Sequence, residues 1–407
     1  MNRNIGISLD DEYTGFTVDE ETESSYFPTV IARDRQAERW TIGEDAYKET
    51  LSGHGVIVDK LVSLIRKDGT ATIGDVRYEA VDLLAHFFHV LLQGASTDPV
   101  ELSTDYIVVS IRKPERRVME HIREALVRAG AEPKNIEIQS YMESFSHFVL
   151  GQDKTLYNRM VGMYELSNQV LTYYEMRVSR GTRKFVLVAS EEEEEAFNLD
   201  ILKSASGQKI ADRLLRTVAE RTLSKSSFSA VFLSGRGFQD TSLVPDFMNF
   251  VCTRRRVLIE PALFSVGAMF YAGMLREGRE EEYTILCDTR VSSDVSFRVS
   301  LKEKERSVPI VKAGSSWTSA GAVYEFILDD QDYIDFEVSS LIDPKRSRRL
   351  RMMLSDFPKR ENRTTRVSMD ASFRDAKTLI VSVTDLGFGD LFPGSGAQIT
   401  EQISLED

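Results

Sequence analysis

Cysteine is almost missing: Cys252 and Cys287 are the only two in 407 residues. A disulfide framework is thereby excluded, and a reducing compartment is expected. No run of about 18 apolar residues occurs, which excludes a transmembrane helix. The opening Met1-Asn-Arg-Asn-Ile-Gly lacks the apolar core of a secretory signal, so a cytoplasmic protein with no membrane partner is expected. Basic charge is in short supply, with 51 Lys and Arg against 64 Asp and Glu and a net charge of -13. That balance argues against a nucleic-acid partner. Strong catalytic motifs are missing too: there is no G-x-x-x-x-G-K-[ST], H-E-x-x-H, C-x-x-C or G-x-S-x-G. His86 and His89 are spaced like paired ligands on a helix, but no third ligand accompanies them and no metal is expected.

What is present is ordinary globular composition, 42% hydrophobic, in a length suited to two or three domains. The run Ile5-Gly-Ile-Ser-Leu9 predicts a strand, followed by the acidic turn Asp10-Asp11-Glu12 and a second strand over 13–18. Residues 77–93 place Val81, Leu84, Ala85, Phe88, Leu91 and Leu92 at helical spacing. A β-branched strand over 106–111, a helix over 115–129 stopped by Gly130, a strand over 136–139 and a helix over 141–150 follow. This alternation predicts an α/β layer. A meander is predicted over 160–166, 169–178 and 183–189. After the acidic run 191–195 come a helix over 207–223, a strand over 230–233, the turn Ser234-Gly-Arg-Gly237, a helix over 241–251, a strand over 257–259 and a helix over 262–275. Beyond a charged linker at 276–282, short alternating runs predict an all-β module.

The ordered set carries a resemblance. Ile5-Gly-Ile-Ser-Leu-Asp10 resembles a damaged copy of the first phosphate-binding hairpin, I-G-I-D-L-G-T-T, of actin-like and DnaK-type ATPases. Met160-Val-Gly-Met-Tyr-Glu-Leu166 stands where their second hairpin, D-L-G-G-G-T, belongs. Gly207 to Asp212 resembles G-G-x-x-F-D, Val231 to Gly237 resembles the adenosine strand and turn, and Phe264-Ser-Val-Gly-Ala268 resembles the closing helix. The chain as a whole is similar to a family of clostridial-type proteins with a degenerate DnaK-like architecture. Met142 to Phe145, Leu258 to Gly267, Pro358-Lys-Arg with Thr364 to Arg366, and Asp385-Leu-Gly-Phe-Gly389 carry that likeness.

The resemblance implies an actin-like (ribonuclease H-like) two-lobe α/β domain followed by a C-terminal β-sandwich. Lobe one would span 1–159 with the returning helix 262–275, lobe two 160–282, and the sandwich 283–407. It also places a cofactor-binding cleft at Ser8, Asp10, Asp11, Glu165, Gly235, Arg236, Gly237 and Gly267. Here the sequence departs from working ATPases. Ser8 replaces an aspartate, and Asp10, Asp11 and Glu12 replace a glycine and two hydroxyl residues. Each carboxylate–phosphate contact at ~4 Å would cost about 4 kcal/mol at an effective dielectric constant near 20. Glu165 replaces aspartate at the second hairpin, while Ser167, Asn168 and Gln169 replace its glycines and block close approach of phosphate. No cofactor is expected beyond weak adenine-nucleotide binding at Gly235–Gly237. Only residues 167–229 lie between the second hairpin and the adenosine strand, little room for a full upper subdomain, and no helical lid follows the β module.

The stretch 343–377 holds eleven basic and five acidic residues. It reads either as solvent-facing strand positions balancing the acidic lobes or as a patch for an anionic partner through residues such as Arg346 and Arg349. Trp317 is a second partner-binding candidate, either an exposed anchor or a core-capping ring. Three functions are expected in descending order. The first is a degenerate DnaK-like protein that hydrolyses ATP inefficiently and binds a protein or peptide partner. The second is a slow metal-dependent ATPase or phosphotransfer enzyme using Asp10, Asp11, Glu12 and Glu165. The third is an actin-like filament or scaffold component.

Overall fold

A computed structural model describes residues 3–19, 23–34, 39–94, 104–167, 170–192, 199–224, 226–301 and 304–405. The chain divides into two compact units, Met1–Tyr283 and Thr284–Asp407. The first is mixed α/β and the second consists mostly of strands.

The first unit begins with strands β1 (Asn4–Leu9), β2 (Tyr13–Val18) and β3 (Ser25–Pro28). A small peripheral group follows: β4 (Ile31–Asp34), β5 (Trp40–Ile42), α1 (Gly43–Leu51), β6 (Gly55–Val58), α2 (Leu61–Arg66) and the hairpin β7 (Thr70–Ile73) with β8 (Val76–Glu79). Helix α3 (Ala80–Gly94), strand β9 (Tyr106–Ile111), α4 (Arg116–Arg128), β10 (Ile136–Ser140) and α5 (Tyr141–Leu150) complete the first half. Its sheet runs β10-β9-β1-β2-β3. β1 pairs antiparallel with β2 and parallel with β9, and β9 pairs parallel with β10. The apolar run of β9 suits a strand covered on both faces, and β1 is buried throughout although Asn4, Gly6 and Ser8 alternate with Ile5, Ile7 and Leu9. Ile5, Ile7, Leu84, Phe88, Ile107, Val118 and Ile122 share one core.

The second half repeats this plan. It contains β11 (Met160–Leu166), β12 (Leu171–Arg180), β13 (Lys184–Glu192), α6 (Ala205–Leu223), β14 (Phe228–Ser234), α7 (Pro245–Val251), β15 (Arg256–Ile259) and α8 (Leu263–Glu277). These strands run β15-β14-β11-β12-β13. Again a three-strand antiparallel meander leads into two parallel strands. Asp212 on α6 accepts from the amides of Asp246 (2.9 Å) and Phe247 (2.8 Å), tying down the start of α7. Helix α8 returns to the first sheet, where a side chain at Gly6 would place its Cβ 1.9 Å from the Ser265 carbonyl oxygen.

Several boundaries moved for identifiable reasons. α3 starts at Ala80 because residues 76–79 pair with β7 instead. The helix expected over 241–251 divides into a 3-10 turn, Thr241–Leu243, and α7, because Pro245 opens a helix at its first turn. Residue 169, the start of the expected second meander strand, and residues 193–195 of the acidic run lie outside the described residues.

The second unit contains β16 (Thr284–Leu286), β17 (Ser293–Leu301), β18 (Lys304–Val311), β19 (Gly321–Ile327), β20 (Tyr333–Ser340), β21 (Arg348–Met353), β22 (Arg366–Asp375), β23 (Thr378–Phe388), β24 (Phe392–Pro393) and β25 (Gln398–Ser404). One sheet runs β18-β17-β20-β21, and the other runs β19-β22-β23-β24 with β25 also on β23. Phe297 and Phe336 of the first share a core with Val367, Met369, Leu379, Val381 and Val383 of the second. Along β20, Ile334, Phe336 and Val338 are buried while Tyr333, Asp335 and Glu337 are more open, the alternation expected of a half-buried strand.

Candidate functional site

The two halves of the first unit meet where β1, β9, β11 and β14 end. In parallel α/β sheets, the carboxyl ends of the strands are where ligand-facing residues collect. Arg112 follows directly on β9. Its guanidinium donates to both carboxylate oxygens of Glu165 on β11, at 2.8 and 2.5 Å. The same group reaches Asp10 Oδ2 at 3.5 Å and Thr172 Oγ1 at 3.4 Å. It also lies 5.0 Å from the centre of the Tyr141 ring, which stacks on Phe264 at 3.9 Å. The Tyr174 hydroxyl donates to Glu165 at 3.4 Å. Burial depresses the basicity of Arg112, but the Glu165 carboxylate more than offsets it and leaves Arg112 well above its ordinary value. Burial pushes the Tyr141 and Tyr26 hydroxyls up, with Asp10 and Glu165 adding to the effect.

A second tie crosses the same cleft. Arg236, in the turn after β14, lies 4.4 Å from the centre of the Tyr13 ring on β2 and donates to its hydroxyl. Tyr13 in turn stacks on Tyr26 at 5.2 Å. Four tyrosines thus lie around two arginines and two carboxylates, with Arg236 exposed at the rim.

The remaining predicted residues are engaged locally. Ser8 is buried, and its hydroxyl accepts from the Gly15 amide at 3.2 Å across the hairpin. Asp10 Oδ1 accepts from the Glu12 amide at 3.0 Å. Asp11 turns away from the cleft and accepts from the Ser63 amide (2.8 Å) and hydroxyl, in the first turn of α2. Gly235 has φ +85°, and a Cβ there would meet the Leu166 carbonyl at 2.5 Å. Gly237 lies against the Leu166 side chain, where a Cβ would stand at 2.3 Å. Gly267 sits at the crossing of α8 and α5, where a Cβ would lie 2.0 Å from the Ser144 carbonyl oxygen. Close backbone approach requires Gly235 and Gly267, while Gly237 makes room for the Leu166 side chain. Asn168 and Gln169 lie outside the described residues. Of the acids considered as metal ligands, Asp10 and Glu165 come together around the Arg112 guanidinium, while Asp11 is turned to α2. Among the described residues, no group of three or more His, Cys, Asp or Glu is gathered as a metal site.

Sequence reasoning found the acids and missed Arg112, the group around which they organise. The available signal was its place one residue beyond a buried parallel strand. His86 stacks on Trp40 at 4.5 Å, and burial lowers its pKa, while His89 is exposed.

In the second unit Trp317 is 6% exposed and belongs to the core. The basic stretch is largely matched by carboxylates. Arg346 pairs with Asp343 (3.5 Å), Arg349 with Glu337 (3.2 Å), Arg351 with Asp335 (2.7 Å) and Arg363 with Asp329 (2.9 Å). Arg360 grips both oxygens of the buried Asp385, at 2.7 and 2.8 Å. Asp385 also accepts from the Gly387 and Ser395 amides, at 3.0 and 2.9 Å.

No helix among the described residues is long and apolar enough to cross a membrane. Comparison with curated proteins returns no match. A domain of unknown function (DUF8552) matches residues 290–405. The larger match, to the family of unknown function (DUF5716) C-terminal, covers residues 12–288, and by that span the chain belongs to this family.

Proposed function

We propose that the first unit is a degenerate actin-like, DnaK-like fold whose cleft is filled by its own charges, and that the protein acts in the cytoplasm by binding a protein or peptide partner. The observation that carries the reading is the Arg112–Glu165 pair with Asp10 alongside. It occupies the ends of β9 and β11 and neutralises the carboxylates that would otherwise position a metal and water. The repeated strand order of the two halves, each a meander followed by two parallel strands, supports the actin-like assignment. The packing of Gly235 and Gly237 against Leu166 supports a structural role for the turn rather than adenosine contact.

A phosphate-release assay with ATP and Mg²⁺ tests the loss of hydrolysis. Release no faster than in buffer is expected. Turnover that disappears on Glu165→Gln substitution would favour the slow ATPase instead.

A further inference from the structure

At the opposite end of the second sheet, where β11, β14 and β15 begin, four arginines line one shallow, open cavity: Arg159, Arg254, Arg255 and Arg256. No carboxylate is among its lining residues. Many other arginines are matched to acids, as in Arg3–Asp105, Arg298–Glu337 and Arg360–Asp385. Among the described residues, none of these four forms an ion pair. That is a distinctive gap in a chain of net charge -13, where acids are in excess.

Three of the guanidinium groups donate hydrogen bonds to neutral partners, and the charge of Arg256 also acts on the nearby Asp153 carboxylate. Arg256 donates to Thr155 Oγ1 (2.9 Å) and Arg159 to Ser227 Oγ (2.8 Å). Arg255 donates to the carbonyls of Phe250 and Leu223, both at 3.3 Å. The nearby Asp153 accepts from the Thr155 amide at 2.8 Å. A bulge between Met160 and Val161 turns Ser229 out of the β11–β14 ladder, and its hydroxyl accepts from the Arg159 amide and donates to the Leu156 carbonyl. Arg254 is held at φ +59°, a left-handed conformation that a non-glycine residue adopts at a cost.

We infer that this cavity binds a phosphate-bearing ligand carrying at least two negative charges. One carboxylate would neutralise one guanidinium and leave its neighbours repelling each other. A phosphate monoester or pyrophosphate brings about two or more charges and several acceptor oxygens, matched to the planar forks of arginine. The source is either a free small phosphate or a phosphorylated side chain of a partner protein. The site is remote from the cleft and independent of the cleft's function.

The test is calorimetric titration of the full chain, at low salt, with pyrophosphate, with a phosphoseryl peptide and with a glutamate-rich peptide lacking phosphate. At least one phosphate probe is expected to bind with micromolar affinity that weakens as salt is added. Tighter pyrophosphate binding assigns a small ligand; tighter phosphopeptide binding assigns a protein partner. The double substitution Arg254→Ala, Arg256→Ala should weaken binding at least about tenfold without moving the thermal midpoint, since both residues are exposed. In the unmutated protein, the bound probe should slow alkylation of Cys252, which lines the cavity. The inference is overturned if neither phosphate probe binds at millimolar concentration or the glutamate peptide binds equally well. Unchanged binding by the double variant, or unchanged Cys252 alkylation, would overturn it too.

Discussion

Arg112 and Glu165 hold each other through two hydrogen bonds in a largely buried setting, so removing either one strands the other's charge. Truncating one member of such a pair costs about 3–5 kcal/mol, whereas replacing both by apolar groups is often neutral. Arg112→Ala is therefore expected to lower the free energy of unfolding in urea by roughly that amount, and Arg112→Met with Glu165→Leu to recover most of it. Equal losses in the single and double variants would contradict this, because the pair itself and not a stranded charge would then be what stabilises the fold. Asp385 gives a second residue-scale prediction. Its carboxyl is held well below the usual range, chiefly by Arg360, with burial opposing and the Ser395 hydroxyl and amide helping. A depressed folded pKa means that the stabilisation is complete above the unfolded value of ~3.9 and is lost as pH falls below it toward the folded value. Acid unfolding of the second unit should therefore steepen below about pH 4. Asp385→Asn should be less stable at neutral pH and lose that dependence, as followed by near-ultraviolet circular dichroism.

At the scale of elements, the crossing of α5 and α8 depends on Gly267 meeting the Ser144 carbonyl with no side chain between them. Gly267→Ala should destabilise the protein by about 1–3 kcal/mol or more through overpacking. An unchanged thermal midpoint would contradict this packing role. The elements best read from sequence were those with sustained periodicity, such as β9 and α3, whose apolar positions are buried as expected. The group from β3 to β8 was not anticipated, because strands of three or four residues with half-buried positions leave no alternation to detect. β21 lies in the stretch read as solvent-facing strand positions, and Arg348 to Arg351 do pair with β20, whereas β25 over Gln398 to Gln402, pairing with β23, was not anticipated. Site geometry was only partly legible. The hairpin acids were visible, but the only sign of Arg112 was its place directly after the buried strand β9. Its pairing with Glu165, 53 positions away, exists only once the two sheets are assembled.

At the scale of the molecule, two sheets that share a five-strand order face one cleft, and the Arg112–Glu165 and Arg236–Tyr13 contacts tie its two sides together. An incoming triphosphate would have to displace Glu165 from Arg112 and Arg236 from Tyr13 while lying near Asp10. On the proposed reading, this cleft does not serve as a nucleotide site. Calorimetric titration of the full chain with ATP and Mg²⁺, repeated with Arg254→Ala, Arg256→Ala to remove the basic cavity, tests it most directly. No saturable heat from the variant up to millimolar nucleotide is the predicted result. Micromolar binding by the variant that is abolished by Glu165→Gln would contradict it.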